Sequence, residues 1–321
     1  MRRAFVRWLS GDAPAIVGAW LDQSGVCLVR MDWAADSQGM AHVVYEPCGQ
    51  YAEGANTVAE TNSAARANAL RSAFEKLGSG SYALALGIPA TDIFIKSIEI
   101  PPGLDDKQVA QLSIVEAVSN LPVPPEEICS DFLRSAMGVE SHNEKVDLAF
   151  CRREVIDTLS ILAEDVGISL AIVDRELQAI HDAAQWCLAK QRGIMEAQYP
   201  LGILMQGEDA RFVICRSALD LTSYELNSNS LQHLNQAQCA DPEELKNYCR
   251  RAGLTEGPQG YLKQLLVSRD DAAVVTGVVD GEVLAERVDV IDPRLATESG
   301  ADGVSLVGLM IATGMALRQN Q

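Results

Sequence analysis

The chain has 321 residues, of which 48% are hydrophobic, 22% charged and 5% aromatic, and its formal net charge is −18. Such a composition is typical of a folded protein with an aliphatic core, and the length suffices for two domains of roughly 100–200 residues each. The acidic excess disfavours attraction to a phosphate backbone and so argues against a nucleic-acid partner.

The N-terminal segment MRRAFVRWLSG combines three arginines with apolar residues. This pattern is typical of a weak contact with an anionic membrane surface or a partner, and a locally packed terminus explains it equally well. The eight cysteines form no C-x-x-C pair, which indicates a reducing compartment. The apolar run 304–317 is shorter than the roughly 20 residues of a spanning helix, so a buried helix and a cytosolic protein are predicted.

The first part of the chain predicts a meander of three strands. Residues 15–33 read as two strands joined by a tight corner at 22–25, and residues 41–47 read as a third strand. A helix is predicted over 60–77, because its apolar residues share one face and Gly78 ends it.

Residues 82–177 predict a small module of strands and helices. Two apolar strand runs are followed by a helix, a proline-rich corner, two more strands and a second helix. In the first of these helices the apolar positions lie three residues apart and are expected to face a core; they are Val109, Leu112, Val115 and Val118.

From residue 200 onward the opening pattern recurs. The pattern of residues 201–226 again predicts a strand, a polar corner at 207–209 and two further strands. Two similarly built halves are therefore expected. Further predictions are a helix over 242–252, a strand over 261–267 and a closing helix over 304–318.

No catalytic or metal-binding motif is present in the sequence. The phosphate-binding, dinucleotide, zinc-protease and nucleophile-elbow patterns are absent, and the four histidines have no ligand spacing. The two meander corners remain as candidates, because matched corners can hold nucleotide phosphates through backbone N–H groups while an acidic side chain positions Mg²⁺. Their polar and glycine residues are Gly18, Asp22, Ser24 and Gly25 in the first corner and Gly207, Glu208 and Asp209 in the second.

Several segments resemble a known family in order and spacing. They read KSIEIPPGL (96–104), EAVSNLPVP (116–124), AFCRREVID (149–157), VGISLAIVDRELQAI (166–180) and ATGMALR (312–318). The chain resembles the PilM family of type IV pilus assembly proteins, which includes relatives from competence and mannose-sensitive (MSHA-type) pilus systems.

The resemblance implies an α/β, actin-like (RNase H-like) fold of two halves. The first half is expected over 1–81, an inserted small subdomain over 82–177 and the second half over 178–321. The implied protein is a cytoplasmic scaffold at the inner face of the bacterial inner membrane. Its implied partners are the N-terminal tail of a PilN-like bitopic membrane protein and the pilus motor ATPase.

Members of this family can bind ATP with magnesium in the cleft, and the chain departs from their pattern there. Trp20 stands at the position of the family's aspartate, Asp22 at its second glycine and Cys27 at its lysine. At the second corner Met205 replaces another aspartate, and Val278 replaces a glycine of the adenine-packing turn. These departures from the family pattern predict no cofactor and a degenerate nucleotide pocket made of Gly18, Trp20, Asp22, Ser24 and Gly207. In a register shifted by two residues, Asp22 or Asp209 would replace a missing carboxylate.

The first hypothesis is therefore a non-enzymatic pilus scaffold that holds its partner in a groove between the first meander and the small subdomain. Partner contacts are predicted at Ile93, Phe94 and Lys96, whose role as ordinary core and rim residues stays open. The alternatives are an ATP-binding, slowly hydrolysing actin-like ATPase and the cytoplasmic domain of a type II secretion platform protein.

Overall fold

A computed structural model describes most of the chain. The basic N-terminal segment, the corner around Gly207 and the turn at 274–278 lie outside the described residues. The described residues are 14–22, 24–33, 39–48, 58–134, 143–205, 211–218, 220–226, 242–255, 261–268, 285–291, 294 and 304–318.

The first sheet has five strands in the order β3-β2-β1-β4-β8. Its first three strands form the predicted antiparallel meander, since the tight corner returns the chain directly alongside itself. The other two strands add in parallel, which requires longer crossover connections. The strands are β1 (Ala15–Leu21), β2 (Gly25–Asp32), β3 (Met40–Pro47), β4 (Tyr82–Ile88) and β8 (Ser169–Arg175).

The second sheet repeats this arrangement in the order β11-β10-β9-β12-β13. A meander of three antiparallel strands is again extended by two parallel strands. The prediction of two similarly built halves is confirmed. The strands are β9 (Leu201–Met205), β10 (Arg211–Cys215), β11 (Leu221–Glu225), β12 (Leu262–Ser268) and β13 (Ala285–Ile291).

Helices cover both sheets and fill the layer between them. α1 and α3 pack on the outer face of the first sheet, and α5 packs on the outer face of the second. α4 and α6 lie in the middle layer, where their side chains join those of both sheets in one core. The helices are α1 (Val58–Leu77), α2 (Asp106–Asn120), α3 (Arg153–Val166), α4 (Glu176–Arg192), α5 (Pro242–Arg251) and α6 (Leu306–Leu317).

A small subdomain with its own core lies between β4 and α3 in the chain. Its sheet has the order β5-β7-β6, and α2 covers one face of that sheet. A capping box between Asp105 and Gln108 begins α2. The strands are β5 (Ile93–Ile100), β6 (Ile128–Arg134) and β7 (Glu144–Arg152).

The predicted domain boundaries need correction. The range 82–177 is too wide for the small subdomain, because β4 and β8 belong to the first sheet and α3 packs on that sheet. The range 178–321 is not a separate half either, since α4 and α6 form a layer shared by both sheets. The boundaries were wrong because strand pairing joins segments far apart in sequence, and local sequence patterns do not reveal which strands pair.

The predicted inward face of α2 is wrong at its C-terminal end. Val109 is fully buried, whereas Val115 is 62% exposed and Val118 is 42% exposed. Each helical residue advances by about 100°, so steps of three residues drift by about 60° and turn Val118 to the opposite side from Val109. The buried row is instead Val109, Ser113 and Ala117, four residues apart.

The middle layer depends on glycines at two close contacts. A Cβ atom on Gly18 of β1 would lie 2.0 Å from the carbonyl oxygen of Ala312, and one on Gly314 of α6 would lie 1.9 Å from that of Ala179. α6 is therefore wedged against β1 on one side and α4 on the other at backbone-to-backbone distance. Every residue of α6 from Leu306 to Ala316 is buried, as its uniformly apolar sequence predicts.

We expect Gly314→Ala to destabilise the fold although alanine is the better helix former. The added methyl group would meet the backbone of Ala179 and force the helices apart, with a loss of about 2 kcal/mol in the free energy of unfolding. Urea denaturation measures this loss. Gln111→Ala on the exposed face of α2 is the control and should change stability by less than about 0.5 kcal/mol. Equal stability of both variants would contradict the contact.

A buried polar network closes the C-terminal end of α6. The Arg318 guanidinium lies 2.7 Å from the carboxylate of Asp182 on α4 and 2.8 Å from that of Asp174 on β8. The Asp182 carboxylate also contacts His181 Nδ1 at 3.0 Å, and His181 Nε2 lies 2.7 Å from the Tyr199 hydroxyl. Burial alone would raise the pKa of Asp182, but His181 and Arg318 outweigh it and hold this pKa below its usual range.

We expect Asp182→Asn to lower stability at neutral pH by about 2 kcal/mol, because the variant loses a charged partner of a buried arginine. A carboxylate with a lowered pKa stabilises the fold above its unfolded-state pKa of about 3.9, and this stabilisation disappears as pH falls through the lower folded-state pKa. The difference from the unmodified chain should therefore shrink below about pH 4 in urea denaturation. Asp220→Asn, in an exposed pair with Arg216, should have little effect at any pH. If the stability difference between Asp182→Asn and the unmodified chain persists unchanged at pH 3, the Asp182 carboxylate does not stabilise the fold through its charge.

Candidate functional site

The β1–β2 corner is closed by the carboxylate of Asp22. Its Oδ1 atom accepts hydrogen bonds from the backbone N–H groups of Ser24 and Gly25, both at 2.8 Å, and from the Ser24 hydroxyl at 2.7 Å. Arg66 on α1 donates to the Asp22 carbonyl oxygen at 3.3 Å. An acidic side chain of the chain itself thus occupies the place where these N–H groups would meet an external anion.

Trp20 fills the space between β1 and the beginning of α6. Only 7% of its surface is exposed, and a Cβ atom on Gly308 would lie 2.4 Å from the indole Cε3 atom. Gly18 and Trp20 face the same side of β1, and that side packs on α6. Cys27 lies opposite Trp20 in the sheet, and complete burial raises the pKa of its thiol, so the residue is neutral.

Glu176 and Arg211 form an ion pair that joins the two halves. Glu176 begins α4 next to the first sheet, Arg211 begins β10 of the second, and their nearest side-chain atoms lie 3.2 Å apart. Sequence reasoning missed this pair because the two residues lie in different predicted units. Within the described part of the chain, no group of three or more His, Cys, Asp or Glu side chains could hold a metal ion. Gly207 lies outside the described residues, so its predicted role in the pocket stays a prediction.

β5 forms an edge of the small sheet and exposes apolar side chains. Among the described strands it pairs with β7 alone, which leaves one side of its backbone without a strand partner. Phe94 is 42% exposed, and its ring stacks on that of Phe150 with centroids 5.8 Å apart. Ile95, the next residue, is 37% exposed. Unpaired strand edges with apolar neighbours are recurrent docking sites for extended peptides.

A depression of about 480 Å³ lies beside Phe94. The beginning of β5, the C-terminal end of α2 and the beginning of α3 form its walls. The depression therefore lies inside the small subdomain and its junction with α3. The first meander contributes no lining residue, so this depression is not the predicted groove between the meander and the subdomain, and that groove stays a prediction. The lining residues are Thr91, Asp92, Phe94, Asn120, Leu121, Pro122, Arg152, Glu154 and Val155.

The three predicted partner residues do not share one surface. Phe94 and Lys96 lie two residues apart on the strand face that packs on α2, whereas Ile93 lies on the opposite face. The Lys96 ammonium forms an ion pair with Glu116 on α2. Of the three, Phe94 alone lines the depression, and the role of all three in partner binding stays a prediction.

We expect Asp22→Ala to destabilise the chain by about 1–2 kcal/mol, because two backbone N–H groups of the corner lose a charged acceptor. Asp22→Asn is the matched control, since its amide oxygen can accept the same two hydrogen bonds, and it should retain most of the stability. Chemical denaturation of both variants gives the comparison. A loss as large for asparagine as for alanine would show that these hydrogen bonds are not what Asp22 contributes.

Comparison with known proteins identifies the fold and the family. Among solved structures, the PilM-PilN type IV pilus biogenesis complex matches with a TM-score of 0.65 and 15% sequence identity over 95% of this chain and 98% of that chain. The cytoplasmic domain of EpsL, an inner membrane component of the type II secretion system of Vibrio cholerae, matches with a TM-score of 0.45 and 13% identity over 94% of both chains. The nucleotide-free diol dehydratase-reactivating factor has a TM-score of 0.30, with 13% identity over 88% of this chain and 58% of that one.

The first of these likenesses confirms the predicted actin-like α/β fold. In the part of the chain that the structure describes, no helix is both long and apolar enough to cross a membrane. The sequence model of the family described as type IV pilus assembly protein PilM matches residues 21–194, which is more than half of the chain. The chain therefore belongs to the PilM family of type IV pilus assembly proteins.

Proposed function

We propose that this chain is a cytoplasmic scaffold of a type IV pilus machine, at the inner face of the inner membrane, that binds the N-terminal tail of a PilN-like membrane protein. The observation that carries the proposal is the edge of β5 beside the exposed Phe94 ring, which no other described strand covers. The structure that matches over nearly the whole chain is that of a complex between PilM and PilN. The resemblance in sequence predicts the MSHA-type or the competence-pilus branch and a link to the motor ATPase as parts of the same proposal.

An extended tail suits this edge physically. A peptide that adds a strand to β5 forms backbone hydrogen bonds regardless of its sequence, and its alternate side chains enter whatever pocket lies beside the edge. The lining of the depression combines the apolar residues Phe94, Leu121 and Pro122 with charged residues that include Asp92 and Arg152. A tail with an apolar residue flanked by charges fits this lining.

We also propose that the nucleotide pocket is degenerate and that the chain works without ATP. Three features support this proposal. Asp22 already bonds the corner N–H groups and would repel a phosphate. Trp20 fills the position where the family's aspartate would hold Mg²⁺, and the neutral Cys27 stands at the position of its lysine. The competing hypothesis is an ATP-binding ATPase of the same machinery, which requires saturable binding of Mg·ATP.

We expect Phe94→Ala to weaken binding of the PilN-like tail peptide about tenfold, because the variant removes the aromatic wall of the depression at the free edge. Fluorescence anisotropy with a labelled peptide and the full chain measures the dissociation constant. Val115→Ala, at an exposed apolar residue of α2 outside the depression, is the control and should bind as the unmodified chain does. Circular dichroism establishes that both variants fold. Equal affinities of the two variants, or no binding by the unmodified chain, would contradict the proposed docking edge.

A further inference from the structure

Two cysteines of the small subdomain lie directly opposite each other. Cys129 on β6 and Cys151 on β7 are partners in the antiparallel register, so their side chains point to the same face of the sheet. The Cα atoms of directly opposed residues in antiparallel strands lie about 4.5–5.5 Å apart, which falls within the range that a disulfide spans. Ile93 of β5 is the next residue along the same row.

The two thiols differ in their surroundings. Cys129 is partly exposed, whereas Cys151 is 5% exposed. The pKa of Cys151 is raised to about 11, first by burial and then by the electrostatic influence of the neighbouring Cys129 and Asp92. Cys151 is therefore protonated at neutral pH, and a reagent from solvent reaches Cys129 first.

The other described cysteines offer a contrast. Cys27, Cys187, Cys215 and Cys249 are buried, which shields their thiols from reagents. Cys48, just after β3, is partly exposed like Cys129, and its nearest strand partners in the register are not cysteines. Cys48 therefore serves as an internal control for a partly exposed thiol that has no cysteine directly opposite it in the described sheet.

We propose that Cys129 and Cys151 form an oxidant-sensitive dithiol, a modification site that closes reversibly to a cross-strand disulfide in response to hydrogen peroxide. Both strands are already paired, so the bond forms without a change of register. The proposal concerns the small subdomain itself and does not depend on which partner the chain binds.

The chemistry balances with peroxide as the oxidant. The Cys129 thiolate attacks one peroxide oxygen, the O–O bond breaks, and the departing hydroxide takes a proton to become water, which leaves a sulfenic acid on Cys129. The Cys151 sulfur attacks the Cys129 sulfur and the S–O bond breaks. The departing hydroxide takes the proton of Cys151 and forms a second water molecule. Two thiols are oxidised to one disulfide, and one peroxide is reduced to two waters.

The test treats the reduced full chain with hydrogen peroxide, alkylates the remaining thiols under denaturing conditions and maps the peptides by mass spectrometry. The expected product is a disulfide between the peptides that contain Cys129 and Cys151, which dithiothreitol reverses. The Cys48→Ser variant should form this disulfide at the same rate as the unmodified chain, and the Cys129→Ser variant should not form it. Recovery of Cys129 and Cys151 as separately alkylated or separately oxidised residues would overturn the proposal.

A second measurement needs no variant at the buried position. Phenylarsine oxide binds two neighbouring thiols together, so it should protect Cys129 and Cys151 from alkylation in the folded, unmodified chain while Cys48 stays reactive. Full alkylation of Cys129 in the presence of the arsenical would likewise overturn the proposal, because it would mean that the two sulfur atoms cannot bind one arsenic atom.

Discussion

The close contact of α6 with β1 and α4 is the constraint on which the rest of the structure depends. Gly18 and Gly314 let the helix approach both neighbours at backbone distance, and any side chain at either position would meet backbone atoms. Both sheets pack on the layer that α4 and α6 form, so this contact sets the spacing of the two halves. Interiors are close-packed, which means that a small displacement of α6 would be felt throughout that layer.

The same packing determines how much space the region between the halves has for a ligand. With α6 held against β1, the Trp20 ring lies over Gly308 and is buried there. Among the described residues there, the Asp22 carboxylate bonds its own corner, and Glu176 and Arg211 pair with each other. The small subdomain is different, since β5 keeps an unpaired edge and an exposed aromatic ring among the described residues. We therefore propose that the function resides on that edge.

Local features of the sequence predicted much of the fold. Strands and tight turns depend on residues close together in sequence, such as alternating apolar residues and the turn residues at 22–25. Both meanders were therefore predicted correctly. The uniformly apolar α6 was predicted as a buried helix for the same reason. The family resemblance supplied the actin-like fold, which the pattern of strands alone did not identify.

Features that depend on distant partners were not predictable in this way. The sequence gives no sign that β4 and β8 join the first sheet, or that Cys129 faces Cys151 across two strands. The inward face of α2 was misjudged because a spacing of three residues resembles helical periodicity over one turn and departs from it over three. The pair of Glu176 and Arg211 joins two units that are distant in sequence, so no local pattern indicates it.

Isothermal titration calorimetry with Mg·ATP tests most directly the proposal that the chain's own side chains occupy the place of a nucleotide. We expect no saturable heat of binding at millimolar Mg·ATP and no rise in melting temperature, since a ligand that binds the native state alone must stabilise it. Saturable binding of Mg·ATP that disappears when magnesium is chelated would instead favour the ATPase.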